Sequence, residues 1–190
     1  ATQLDATLNN PKPKDIYSTG TIANIVQNVE LPDGNIKVLV EGIKRAKAVK
    51  YVDKDGYLKA IFDLAIQPEV VLPTNKKLVK KVMSLFEQYV KLNQNLTDDT
   101  ILSTLQEEEI TRLSDNVAAN LSISIEEKQE LLQDFDPISR LNRLVEIISV
   151  EVEKMNLDQS INSNVKRQME KAQKEYYLNE KMKAIQKEMD

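Results

Sequence analysis

The sequence predicts an α+β fold: a β-rich first part, a helical bundle, and one long helix that ends the chain. Three observations carry that prediction. All four glycines, Gly20, Gly34, Gly42 and Gly56, precede a cut at Pro68–Thr74, and only Pro137 interrupts the residues beyond it. Apolar residues alternate with polar ones before the cut and recur every three or four residues after it. The charge is segregated as well: residues 1–72 and 150–190 are each balanced, so the whole formal charge of −4 sits in 73–149. This grammar assigns 1–72 to a β-rich unit, 73–135 to a helical bundle and 136–190 to a long helix.

The strands come first. Ile22, Ile25, Val26 and Val29 have helical spacing, but β-branched residues dominate and a turn follows at once, so a strand is expected. Pro32-Asp33-Gly34-Asn35 is a turn in which Pro fixes φ and Gly accepts positive φ. Ile36, Val38 and Val40 then alternate with Lys37, Leu39 and Glu41. Asp53-Lys54-Asp55-Gly56 predicts a second hairpin turn. It leads into Leu58, Ala60, Phe62, Leu64 and Ile66, alternating with Tyr57, Lys59, Ile61, Asp63 and Ala65.

Beyond the cut, Leu78, Val82, Leu85, Phe86 and Tyr89 make one helical stripe, with Lys76, Lys77, Lys80, Lys81 and Glu87 mostly outside it. Ile110, Leu113, Val117 and Leu121 make another. Ser124 with Glu127 is a capping box that starts a helix before Leu131 and Leu132. Asp136-Pro137 is an N-cap followed by an N1 proline. From there the chain reads as helix to its end. Leu141, Val145, Ile148, Val152 and Met155 step as a heptad seam. The pattern falters over Asn156–Asn164 and resumes as Val165, Met169, Ala172 and Tyr176, then as Leu178, Met182, Ile185 and Met189. A helix of fifty residues is about 75 Å long, so part of it projects into solvent or lies against another chain.

Composition excludes much chemistry. With no Cys and no His, disulfides, thiolate or imidazole metal sites, Cys nucleophiles and His bases are absent. No Gly precedes a Lys, and four glycines furnish no phosphate loop. Glu107-Glu108-Glu109 and Asp98-Asp99 read as acidic first turns complementing helix dipoles rather than as metal ligands. Lys44, Arg45, Lys47 and Lys50 beside Tyr51 read as a solvated strand face, because Glu41, Asp53 and Asp55 balance them. No catalytic, cofactor-binding or metal-binding residue is identified, and the chain is expected neither to hydrolyse ATP nor to cleave protein. No run approaches the length of a bilayer span. No signal peptide is visible at Ala1–Asn10, and a cytoplasmic location is expected. The absence of an initial Met reads as a fragment. Met169, Tyr176, Tyr177 and Met182 are the candidate contacts for a substrate or a partner helix, being adaptable or amphipathic side chains. A plain helix-packing stripe is the competing reading, and pattern alone favours it.

Two motifs then carry a resemblance. Val165–Met189, Val-Lys-Arg-Gln-Met-Glu-Lys-Ala-Gln-Lys-Glu-Tyr-Tyr-Leu-Asn-Glu-Lys-Met-Lys-Ala-Ile-Gln-Lys-Glu-Met, resembles the segment that precedes the ATPase module of bacterial Lon proteases. Leu31–Ala46, Leu-Pro-Asp-Gly-Asn-Ile-Lys-Val-Leu-Val-Glu-Gly-Ile-Lys-Arg-Ala, resembles the hairpin of that family's N-terminal barrel, and Phe86–Leu92 resembles a helix between them. The resemblance implies a partial PUA-like β-barrel, its opening strand absent, followed by a helical bundle and a long helix leading toward an AAA+ domain. It implies a parent that is an ATP-dependent serine endopeptidase, degrading misfolded and short-lived regulatory proteins as a ring, usually a hexamer. ATP and magnesium would then belong to domains outside this chain, which itself would serve substrate recognition and ring assembly. Its expected partners are unfolded or damaged proteins and further copies of itself, with no membrane. A pure coiled-coil oligomerisation module is the first alternative, and a nucleic-acid-binding barrel is the second and weaker one.

Overall fold

The computed structural model of the chain describes residues 1–54, 56–64, 75–93, 98–107 and 109–189. Asp55 of the second expected turn, Glu108 of the acidic run, and the cut with Ala65 and Ile66 lie outside these residues. Three strands, β1 (Thr19–Glu30), β2 (Ile36–Lys54) and β3 (Tyr57–Leu64), form an antiparallel meander in the order β1-β2-β3. Five helices follow: α1 (Lys76–Leu92), α2 (Asp98–Leu105), α3 (Ile110–Asn120), α4 (Ile125–Gln133) and α5 (Pro137–Met189).

The first hairpin closes through the chemistry its sequence offers. The Leu31 amide donates to the Asn35 carbonyl (2.7 Å) and the Gly34 amide to the Leu31 carbonyl (3.0 Å). Asp33 Oδ1 accepts the Asn35 amide at 3.0 Å. Gly34 sits at φ +83, where an L side chain would be strained. Gly56 takes the same conformation, and the strands on either side of it pair through Lys54 and Tyr57.

β2 is long because it serves two partners in succession. Its first part pairs with β1 and its last with β3, and the two ladders overlap at Ala46 and Lys47. Register shifts at Ile22/Ala23, Ile25/Gln27 and Ala48/Lys50 mark bulges, which bend and twist a strand. The sheet stays open rather than closing into a barrel. The alternation that predicted its strands therefore predicts no burial: Ile25, Val26, Ile36, Val38, Leu39, Val40, Ile61 and Phe62 are all exposed.

The core lies in the helices. Val82, Phe86 and Tyr89 of α1 meet Ile110, Leu113 and Val117 of α3, with Leu121, Leu131 of α4, and Leu141, Leu144, Ile147, Ile148 and Val152 of α5. Phe86 and Tyr89 stack at 6.4 Å between ring centroids. The buried Tyr89 hydroxyl accepts from the Ser122 amide (2.9 Å) and from Asn93 Nδ2 (3.1 Å), tying the end of α1 to the α3–α4 connection. Both expected caps form. Ser124 Oγ accepts the Glu127 amide (3.1 Å) while Glu127 Oε2 accepts the Ser124 amide (3.0 Å). Asp136 Oδ1 accepts the Ile138 amide at 2.9 Å, one residue past the N1 proline. Ser124→Ala removes one reciprocal bond of the capping box and is expected to cost about 1 kcal/mol, read as a lower urea midpoint at unchanged slope.

The heptad seam Leu141–Met155 is an intrachain surface. Leu141, Ile148 and Val152 are buried and Val145 and Met155 are half-buried, packed in the same core. α5 packs chiefly against α1 and next against α3. It then continues unbroken through Asn156–Asn164 to Met189, a total of 53 residues.

Candidate protein-binding surface

The root of α5 is held by the core, and among the described residues nothing in the chain covers its outer part. Every described side chain from Asn156 onward is exposed. That outer part is about 50 Å long at 1.5 Å per residue. Met169 is 58% exposed, Tyr176 69%, Tyr177 61% and Met182 58%. None of them packs on the chain's own core. Lys181 Nζ lies over the Tyr177 ring at 5.9 Å, a contact that keeps one face of that ring polar.

Helical rotation of about 100° per residue separates these four side chains. Met169 and Tyr176 lie about 20° apart, with Val165 about 40° and Ile161 about 80° from Met169. Met182 lies about 140° from Met169, on the stripe of Leu178, Ile185 and Met189. Tyr177 falls between the two. The outer helix thus carries two apolar stripes on nearly opposite sides, not one surface, and a flat partner reaches only one of them. Ion pairs on the same outer helix, Lys171 Nζ to Glu175 Oε1 at 3.9 Å and Lys183 Nζ to Glu180 Oε1 at 2.9 Å, keep the rod charged around these side chains.

The basic stretch of β2 is corrected by the structure. Lys44, Lys47 and Lys50 are exposed, as a solvated face requires, but Arg45 is buried. Its Nη1 donates to Asp115 Oδ2 at 3.0 Å, its Nη2 makes a short contact to Asp115 Oδ1, and its Nε donates to the Leu132 carbonyl at 3.2 Å. Tyr51 turns its hydroxyl to the Tyr17 carbonyl (3.1 Å). Arg140 is a second buried cation that sequence reasoning passed over, because it sits between Ile138 and Leu141 in what reads as an ordinary helix turn. The acidic runs act locally. Glu107 Oε1 accepts the Glu109 amide at 3.1 Å just before α3, and Asp98 and Asp99 open α2. Among the described residues no three carboxylates gather to hold a metal ion, and both positive-φ glycines belong to the sheet rather than to a phosphate cradle. No described helix is long and apolar enough to cross a membrane.

An open sheet docked on a helical body, with a helix reaching some 50 Å beyond it, is the build of a binding and connecting module. The chain belongs to the Lon protease substrate-binding family: the family model described as ATP-dependent protease La (LON) substrate-binding domain matches residues 1–150. It is 55% identical over 189 residues to the Lon protease of Solibacter usitatus (strain Ellin6076), and 43% identical over 189 residues to that of Brucella suis biovar 1. Both alignments cover 100% of this chain and 23% of the relative, so the chain spans about a quarter of the curated relatives it matches. The fold is that of the N-terminal domain of a Mycobacterium avium complex Lon protease, with a TM-score of 0.62 and 21% identity over 73% of this chain and 74% of that one. The family match ends at Val150, so Met169, Tyr176, Tyr177 and Met182 all lie outside it, on a part of α5 that the curated relatives cover.

Proposed function

We propose that this chain is the substrate-recognition region of an ATP-dependent serine protease that degrades misfolded and short-lived regulatory proteins in the cytoplasm. The observation that carries the reading is membership of a substrate-binding family over residues 1–150. Peptide cleavage and ATP turnover, with its magnesium, belong to other parts of the full-length protein. The helical body is the rigid anchor, and outer α5 presents soft apolar side chains on a charged, soluble rod. Met accommodates varied partners at little steric cost, which suits a protease that must accept many sequences. Binding is weak per site, and several copies around a ring, usually six, supply the avidity.

A second role is favoured by a specific observation: the spacing Leu178, Met182, Ile185, Met189 is that of a helix that pairs with another helix. Ring assembly and client capture can then use the two opposite stripes. In the full-length protease, replacing Met169 and Met182 together by Ser is expected to weaken capture of an unfolded protein by about tenfold, the loss expected when one partly buried Met side chain is forfeited. Degradation of short unstructured peptides and basal ATPase activity should change much less. The single substitutions separate the stripes, and sedimentation measures the rings in parallel. Unchanged capture, or capture lost only as the rings dissociate, would overturn the client role.

A further inference from the structure

Two buried guanidiniums from different parts of the fold converge on one carboxylate. Arg45 reaches in from β2, Arg140 from the first turn of α5, and Asp115 stands between them on α3. Asp115 gives both oxygens to Arg45. Arg140 Nε lies 3.8 Å from the same Oδ1, beyond hydrogen-bond length, and donates instead to Ser114 Oγ at 3.1 Å. Arg140 Nη1 donates to the Asp134 carbonyl at 2.7 Å, while Nη2 is buried with no partner. The side chain is 1% exposed. Burial, and after it the charge of Arg45, push the Arg140 pKa below its ordinary value, with Asp115 opposing them. A buried charged donor left unpaired beside a carboxylate already taken is a costly arrangement, and it is relieved if that carboxylate changes partner.

The surroundings let it do so. The sheet meets the helices across a cleft of about 1140 Å³, with Ile43, Lys44 and Arg45 on one side and Arg112, Ala119 and Lys128 on the other. Ala46 is the one buried hydrophobic residue that the sheet contributes among the described residues. Besides Arg45, Gln129 Nε2 donates to the Thr19 carbonyl at 2.9 Å across this joint. A joint closed mostly by polar bonds over an open cleft can part without exposing a core.

We propose that Asp115 is a partner-exchanging carboxylate: it holds Arg45 while the sheet is seated on the helices and closes on Arg140 when the sheet lifts. The two arginines then compete, and the seating of the sheet is coupled to the root of α5. Any ligand that prefers one seating is felt at the start of that helix, by the amount of its preference.

The chain contains no Cys, so spin labels can be placed at Ile43→Cys and Ala119→Cys, on opposite walls of the cleft, and their separation measured by pulsed electron resonance. Arg45→Gln is expected to raise the ratio of lifted to seated molecules by about tenfold, the scale of one charge-assisted bond. Arg140→Gln, which removes the competitor, is expected to shift the distribution the opposite way, toward the seated distance. Asp115→Asn should make the separation indifferent to Arg140. If Arg140→Gln does not fold, Arg140→Lys keeps the charge, shortens its reach, and is read for the same sign. A shift of Arg140 variants in the same direction as Arg45→Gln, or no shift in any variant, would overturn the proposal.

Discussion

Phe86→Ala is expected to destabilise the chain by about 3–5 kcal/mol, the range for deleting a fully buried aromatic ring. Phe86 has no exposed surface, stacks on Tyr89 and lies in the core that α1 shares with α3 and α5. The neighbours cannot collapse into the vacancy freely, because Tyr89 is pinned by its bonds to Ser122 and Asn93. Lost transfer energy and a residual cavity therefore add. A domain of this size is stable by only about 5–15 kcal/mol, so the variant loses a large share of its reserve. Val150→Ala, on the exposed side of α5, should change stability by less than about 0.5 kcal/mol. Urea unfolding followed by far-ultraviolet circular dichroism checks both. A Phe86→Ala loss below about 1 kcal/mol would mean that the helical core is far more yielding than its burial indicates.

The contrast between these two positions marks what the sequence could tell. Helix stripes and caps were legible because they are local: Ser124 and Glu127 are three residues apart, and Val82, Phe86 and Tyr89 share one face whatever lies opposite. Turn chemistry at Pro32–Asn35 was legible for the same reason. Alternation in β1 to β3 revealed strands, yet it cannot say whether a face is covered, and here most of the large apolar residues of the three strands face solvent. The seam Leu141–Met155 shows the same limit for helices, since a heptad spacing fits a neighbour within the chain as well as a second chain. Arg45 was misread for a different reason. A buried cation is recognised only through its partner, and Asp115 is seventy residues away in the sequence. The division of the Met and Tyr candidates between two sides of α5 was within reach, because rotation along a helix follows from residue number alone.

Hydrogen exchange along α5 should fall in two regimes, with amides of Leu141–Val152 protected close to the limit set by global unfolding and those beyond Asn164 protected by orders of magnitude less. The root exchanges only when the core opens, because Leu141, Leu144, Ile148 and Val152 are locked in it. The outer part has no tertiary packing, so its protection reflects helix–coil balance alone. It starts from a preformed helix and is spared the nucleation cost, but each added residue gains little, and the ion pairs Lys171–Glu175 and Glu180–Lys183 add only a few tenths of a kcal/mol each. Fraying should therefore deepen toward Met189, with a step at Asn156–Asn164, where Asn, Ser and Asp are poorer helix formers than the flanking Lys, Glu and Met. Uniform strong protection from Leu141 to Met189 would overturn this picture and would mean that something packs on the outer stripes. Repeating the measurement at tenfold lower protein concentration identifies what: protection that falls on dilution comes from pairing with another copy of the chain, and protection that persists comes from packing within the chain.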